Sequence, residues 1–415
     1  MAWLLSLVFV LDAHAALVVA RYCVDYSGLD YIDRLTGDIH TGTTMKAWDA
    51  LLRFEPNTGG QFGYYLDGQN GADPGCRTLS LDNTKTYTVK LIREAAIEGN
   101  LLQVKNASGL LYATTLKTNH VPVQGANYAE TASGDSVLVM AAATRAISRR
   151  DGGLTGETFE VRLDACGTGG NGSCYLPAQH RVHIDSSIDH HRYKFLIAHE
   201  VGHMLADAKN GWLGNNQDYD AAPDGCPSST PTVLHDFPYK EFNSGAAVEG
   251  FAHFYSAMAF NEDTSPGADC EVQKHYDVDW DRSGVRGDTF ADTDTFSCEG
   301  GFDAWDPPPV NQYVQQADNF DYLGDHCLAS GQSNNRGTTY DWMRMFWDLR
   351  TDEGVTPDVI FAIWAEADPD DWNATGNGTG AGYPAFRMSV AAYDVGGSAL
   401  QLKYNAVAPD NGTTR

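Results

Sequence analysis

The chain has 415 residues, of which 42% are apolar and 20% charged. That composition belongs to a folded chain with room for two domains and excludes a disordered one. The net charge of −27, from 55 acidic against 28 basic residues, repels nucleic acid and anionic membrane surfaces, so neither is expected as a partner. A solvated acidic surface is the simplest reading of the excess, and it suits a secreted protein that acts on neutral or basic substrates.

Residues Met1 to Ala20 are apolar apart from Ser6, Asp12 and His14. The triplets Ala13-His14-Ala15 and Val18-Val19-Ala20 fit a signal-peptidase site, so residues 1–20 are expected to be a signal peptide, although a positive n-region is missing. No later run approaches the ~18 apolar residues of a membrane span. The eight cysteines include no Cys-x-x-Cys, which argues for disulfides in an oxidising compartment and against a zinc–thiolate site. Cys166 and Cys174 flank a glycine-rich loop that should close on itself. Cys23 is expected to pair with Cys76, and Cys226, Cys270, Cys298 and Cys327 among themselves. Five Asn-x-Ser/Thr sequons, at Asn106, Asn171, Asn373, Asn377 and Asn411, are compatible with secretion.

From residue 21 to about 122 the pattern is of short alternating runs divided by Gly, Asn and Asp. Thr86–Ile92 and Leu101–Val104 are the clearest strands. This stretch reads as a β-sandwich-like accessory domain without a catalytic cluster: a binding domain, a brace or a processed pro-segment. After a linker at Val121–Asn127, Asp135–Arg149 has helical periodicity. Phe159–Leu163 and His180–Asp185 alternate as strands, and the one near His183 is expected to lie along a cleft whose edge an extended peptide could join.

A second helix is expected from Ser186 or Ser187, as its cap, to Asp207, with His190 and His191 in its first turns facing solvent or one of them approaching the cleft. It carries His199-Glu200-x-x-His203. Two histidines four apart lie one turn apart on one helix face, so both imidazoles can converge on one metal ion. Glu200, beside them, is placed to take a proton from water activated by that metal. Gly245–Phe260, Thr338–Arg350 and Pro357–Glu366 read as further helices. Asn373–Gly382 reads as a turn region, and Ala408–Arg415 as a frayed tail. The domains expected are therefore 21–122, a catalytic domain at 123–351 and a helix-and-loop extension at 352–415, in an α+β chain. Asp277-Val-Asp279-Trp-Asp281-Arg-Ser-Gly284 alternates acids as calcium loops do, but its twelfth position holds Asp288 where the pattern has Glu.

Catalytic zinc takes three protein ligands and leaves a position for water. The metzincin continuation is absent, because its places hold Ala206 and Lys209. Val248-Glu249-Gly-Phe-Ala-His253 lies on the next helix, with Glu249 46 residues beyond His203. Over roughly Asp189 to Phe260 the chain resembles the gluzincins, the thermolysin-like clan of zinc metallopeptidases. The resemblance implies a zincin-like fold with a mostly helical C-terminal part, zinc on His199, His203 and Glu249, and Glu200 as the base in peptide-bond hydrolysis. The clan's acid four residues after the ligand Glu is here His253, which could donate to Glu249 or replace it as ligand. Tyr255, His326 and Tyr340 are candidates for holding the oxyanion. A secreted zinc endopeptidase acting on peptides or proteins is the leading expectation. A catalytically inactive zincin-fold binding protein and a metal-dependent amidase are the alternatives.

Overall fold

The computed structural model describes residues 16–32, 39–69, 71–148, 154–167, 172–212, 224–225, 239–260, 336–351, 353–367, 383–393 and 399–410. Cys226, Cys270, Cys298, Cys327, His326 and the acidic loop at 277–288 lie outside them, as do the side chain of Tyr340 and residues 1–15. The protein is α+β. Its chain forms two compact units that interleave in sequence, one from residues 1–25, 46–92 and 113–132, the other from 26–45, 93–112 and 133–415. No helix among the described residues is long and apolar enough to cross a membrane.

The strands of the first half are β1 (Leu17–Ile32), β2 (Ile39–Lys46), β3 (Ala50–Pro56), β4 (Phe62–Tyr65), β5 (Cys76–Asp82), β6 (Tyr87–Ile97), β7 (Asn100–Asn106), β8 (Ala113–His120) and β9 (Asn127–Ala132). In the first unit β1 pairs antiparallel with β5, from Leu17 opposite Asp82 to Cys23 opposite Cys76. The expected Cys23–Cys76 disulfide closes that ladder. Leu17 to Ala20, at the end of the expected leader, are thus the first residues of a paired strand, and Val18 and Ala20 are buried. Hairpin β3–β4 and the β6–β8 pair complete the β-rich unit. Its core is aromatic: Phe54 meets Tyr22 edge-on at 5.2 Å and stacks on Phe62 at 5.6 Å. Asn127–Ala132, at the end of the expected linker and beyond it, form strand β9.

The second unit holds the last residues of β6, then β7, α1 (Asp135–Ser148), β10 (Thr158–Leu163), β11 (Cys174–Leu176), β12 (Arg181–His183) and α2 (Lys194–Lys209). Glu98 and Gly99, both at positive φ, make the two-residue turn that returns β6 into β7. β7, which sequence groups with the amino-terminal strands, pairs in parallel with β10. The order continues through β12 to β11. β12, the strand of His183, was expected to offer its edge to a peptide. It is instead flanked on both sides, and β11 is the edge strand among the described residues.

α2 also begins later than expected. Asp185 caps a short 3₁₀ turn at Ser186–Ile188 by accepting from the Ser187 N–H, and Asp189 then takes a left-handed φ of 61°. A second 3₁₀ turn at His190–Arg192 follows before Lys194 starts the helix. His191 is accordingly buried, not solvent-facing, with Nε2 3.4 Å from Asp135. After the short strands β13 (Asp224–Gly225) and β14 (Tyr239–Phe242) come α3 (Asn243–Phe260), β15 (Arg336–Gly337), α4 (Thr339–Thr351) and α5 (Pro357–Ala367). Two further helices, α6 (Tyr383–Tyr393) and α7 (Ala399–Asp410), lie in the expected helix-and-loop extension, and α7 takes in the start of the expected tail at Ala408. Phe386 of α6 meets Trp342 and Phe346, and Tyr404 of α7 meets Phe386.

α3 is clamped by close crossings. A Cβ on Gly250 would stand 2.5 Å from Trp342 Cβ and 2.9 Å from the Met343 nitrogen, so glycine lets α4 approach backbone to backbone. Gly250→Ala must push α4 away and is expected to cost about 1–3 kcal/mol, measured as a lowered denaturation midpoint with an unchanged m-value. On the sheet of the second unit, Glu160 meets Lys105, Arg162 and Arg181 at 2.5, 2.6 and 2.6 Å. Burial would raise its carboxyl, but the three cations outweigh burial and hold it below its ordinary 4.5. Because the folded value is depressed, this stabilisation is full above about pH 4.5 and fades as pH falls through the folded value. Glu160→Gln should therefore lower stability by about 1–2 kcal/mol at neutral pH. The gap to the wild type should close as urea titrations move below pH 4.

Candidate metal centre

The buried polar residues of α2 are Lys194 at its start, then His199, Glu200 and Asp207, each less than a tenth exposed. Buried polar groups of this kind need partners: α3 supplies Glu249 to His199, and β11 supplies Tyr175 to Glu200 and Asp207. The two helices cross closely at Gly202, where an added Cβ would meet Ala252 Cα and Tyr255 Cβ, each at 3.3 Å. Gly202, inside the His-Glu-x-x-His run, therefore brings α3 within reach of its flanking histidines.

The imidazoles of His199 and His203 present their Nε2 atoms to each other at 3.1 Å. Glu249 reaches over from α3, with Oε2 3.2 Å from His199 Nε2 and 3.5 Å from His203 Nε2. Three donor atoms thus form a nearly equilateral triangle. Zinc–ligand bonds of about 2.0–2.1 Å at tetrahedral angles place neighbouring ligand atoms about 3.3 Å apart. The spacing and the two-imidazole, one-carboxylate donor set both fit a zinc ion capping this triangle. All three side chains are largely buried, with 9%, 12% and 14% of their surface exposed for His199, His203 and Glu249.

His253 stands beside the triangle. Its ring is 4.2 Å from that of His199 and stacks on Phe195 at 5.4 Å. A ring nitrogen of His253, one of His199 and an oxygen of Glu249 lie within 4.8 Å of one another. His199 and Glu249 thus face two imidazoles, with His203 Nε2 3.1 Å from His199 Nε2 and 3.5 Å from Glu249 Oε2, and a His253 nitrogen within 4.8 Å of both. His199 Nδ1 is buried without a hydrogen-bond partner among the described residues.

Glu200 sits next to the triangle without joining it. Burial raises its carboxyl above the usual range and Glu249 adds to this, while His199, His203 and a hydrogen bond from the Tyr175 N–H oppose it. Burial would raise Glu249 as well, but His203 and His199 outweigh it and hold that carboxyl well below the ordinary carboxylate range. Two adjacent carboxyls are thereby driven apart, one kept as a permanent anion and the other made a better base.

Of the oxyanion candidates, Tyr255 is excluded, because its buried hydroxyl donates to the Ala146 carbonyl. His326 and the Tyr340 side chain lie outside the described residues. Two residues near Glu200 carried no expectation from sequence. Tyr175, on β11, touches Glu200 through its backbone, and Asp207, on α2, takes the Tyr175 phenol. Asp207 lies seven residues after Glu200, a spacing that returns to the same helix face. That spacing was the available signal, whereas nothing in the sequence points to Tyr175.

Neither a scan against protein-family models nor a search of curated proteins returns a match. Zinc titration of purified variants distinguishes the two donor sets. His203→Ala and Glu249→Ala should each weaken zinc binding by more than the ~100-fold upper bound for outer residues, and His253→Ala by about tenfold or less. A His253→Ala protein that loses zinc while His203→Ala retains it would reverse the assignment.

Proposed function

We propose that the chain is a zinc-dependent peptidase of the gluzincin kind, with residues from 133 onward carrying the zincin-like catalytic part and the β-rich unit serving as an accessory domain. The observation that carries this reading is the convergence of His199 Nε2, His203 Nε2 and Glu249 Oε2 beside a separate buried carboxyl, Glu200. A purely structural ion site would have no chemical use for that fourth group. Two disulfides among the described residues support an oxidising, extracellular setting.

His199, His203 and Glu249 would hold the zinc, which when bound supplies Lewis acidity toward a carbonyl and lowers the pKa of water. Glu249 remains anionic and offsets part of the ion's charge. Glu200 accepts a proton from the water that attacks the scissile carbonyl, and returns it to the leaving amine nitrogen. Its raised proton affinity suits both transfers. Beside it runs β11, the sheet edge. An extended peptide hydrogen-bonded to that edge would bring its backbone carbonyls past Glu200, and backbone pairing of this kind recognises peptides with little demand on their side chains.

Glu200→Gln keeps the side chain's size and removes the base. Turnover of a quenched fluorescent peptide should fall about 10²–10⁴-fold, with one zinc still bound per chain. Undiminished turnover would remove Glu200 from this role, and cleavage of small amides without cleavage of peptides would move the reading to an amidase.

A further inference from the structure

We propose that Tyr175 and Asp207 are positioning residues that brace the Glu200 carboxyl from the sheet edge. The inference rests on Glu200 being the base described above. Glu200 and Asp207 lie seven residues apart on α2, nearly on one side of the helix and about 10 Å apart along its axis. Tyr175 spans that interval. Its backbone N–H donates to Glu200 and its phenol O–H donates to Asp207 Oδ2 at 2.5 Å. One residue of β11 is thus fastened to the same helix face at both ends.

Two features show that the brace is built into the site. Asp207 is only 3% exposed, and its other oxygen, Oδ1, is buried without a hydrogen-bond partner among the described residues. A carboxyl costs stability in such a place, and Tyr175 is the partner that offsets that cost. β11 has only three residues and pairs with β12 alone among the described strands, so backbone pairing by itself holds it weakly. The residues before Tyr175 are tied down independently. Cys174 is bonded to Cys166, and Ser173 Oγ takes the Asp185 N–H at 3.0 Å. Loss of the phenol contact would therefore leave the strand in place but let Tyr175 drift along α2, and Glu200 would lose the N–H that orients it.

Tyr175→Phe removes the hydroxyl and keeps both the ring and the backbone donor, and Asp207→Asn tests the other end. The measurements are hydrogen–deuterium exchange at the Tyr175 amide, zinc content, and kcat and KM on a quenched fluorescent peptide cleaved by the wild type. The expected result is at least tenfold faster exchange at that amide in either variant. The kcat should fall about tenfold, with KM within twofold and zinc unchanged. The double variant should be no worse than either single, because one brace is broken once. Unchanged exchange and unchanged kcat in Tyr175→Phe would overturn the proposal. So would losses in kcat that merely track a lowered melting temperature, with exchange rising equally across all of α2. If the wild type cleaves no peptide, the peptidase reading fails by itself, and local exchange at Tyr175 still decides whether the brace exists.

Discussion

The candidate centre depends on how closely two helices approach. Side chains on α2 and α3 can share one ion only if the backbones come near enough for Glu249 to meet His199 and His203 at 3.2 and 3.5 Å. Packed helix axes usually stand 8–10 Å apart, with the separation set by the side chains at the crossing. Gly202 removes the side chain at that point, and Ala252 offers almost none from the other side. Any larger residue at either position would separate the donors before it altered their chemistry. The motif's spacing in sequence aligns the histidines, but the glycine between them lets a third donor arrive.

The rest of the helical layer keeps that crossing from relaxing. Phe251 of α3 packs against Phe346, Phe361 and Trp364 at centroid distances of 5.4, 5.0 and 4.4 Å. These rings come from α4 and α5, so the residues flanking Glu249 are held by elements far along the chain. Gly250, next to Glu249, admits α4. Rigid apolar surroundings of this kind also exclude water. They give the buried carboxyls their opposed proton affinities: the same burial acts on Glu200 and Glu249, and proximity to the imidazole nitrogens decides which one stays an anion.

Much of this was legible in the residue order, because the informative signals were local. A helix with histidines one turn apart, an alternating strand at Phe159–Leu163 and a short loop between Cys166 and Cys174 all follow from spacing alone, and each is found. Glu249 and His253 were legible as residues of a neighbouring helix, but their ranking required distances. The misreadings share a cause. The α2 boundary was lost because Asp189 adopts a left-handed φ that an apolar-periodic pattern does not register. The edge strand was misassigned because three residues, Cys174 to Leu176, are too few to show alternation. Tyr255 looked like a possible catalytic phenol until its hydroxyl was found inside the core on a main-chain carbonyl. Tertiary partners, not composition, decide such cases.

β7 pairs in parallel with β10 along six residues, from Thr158 opposite Leu101 to Leu163 opposite Asn106. Some fifty residues of chain, including the whole of α1, separate the partners, so this ladder can close only after both have been synthesised. It also binds an amino-terminal segment into the sheet on which the histidine helix rests. A cleavage near residue 122 that released everything before it would take β7 away and expose the flank of β10. The sheet that carries α2 therefore draws one of its inner strands from chain that precedes residue 122.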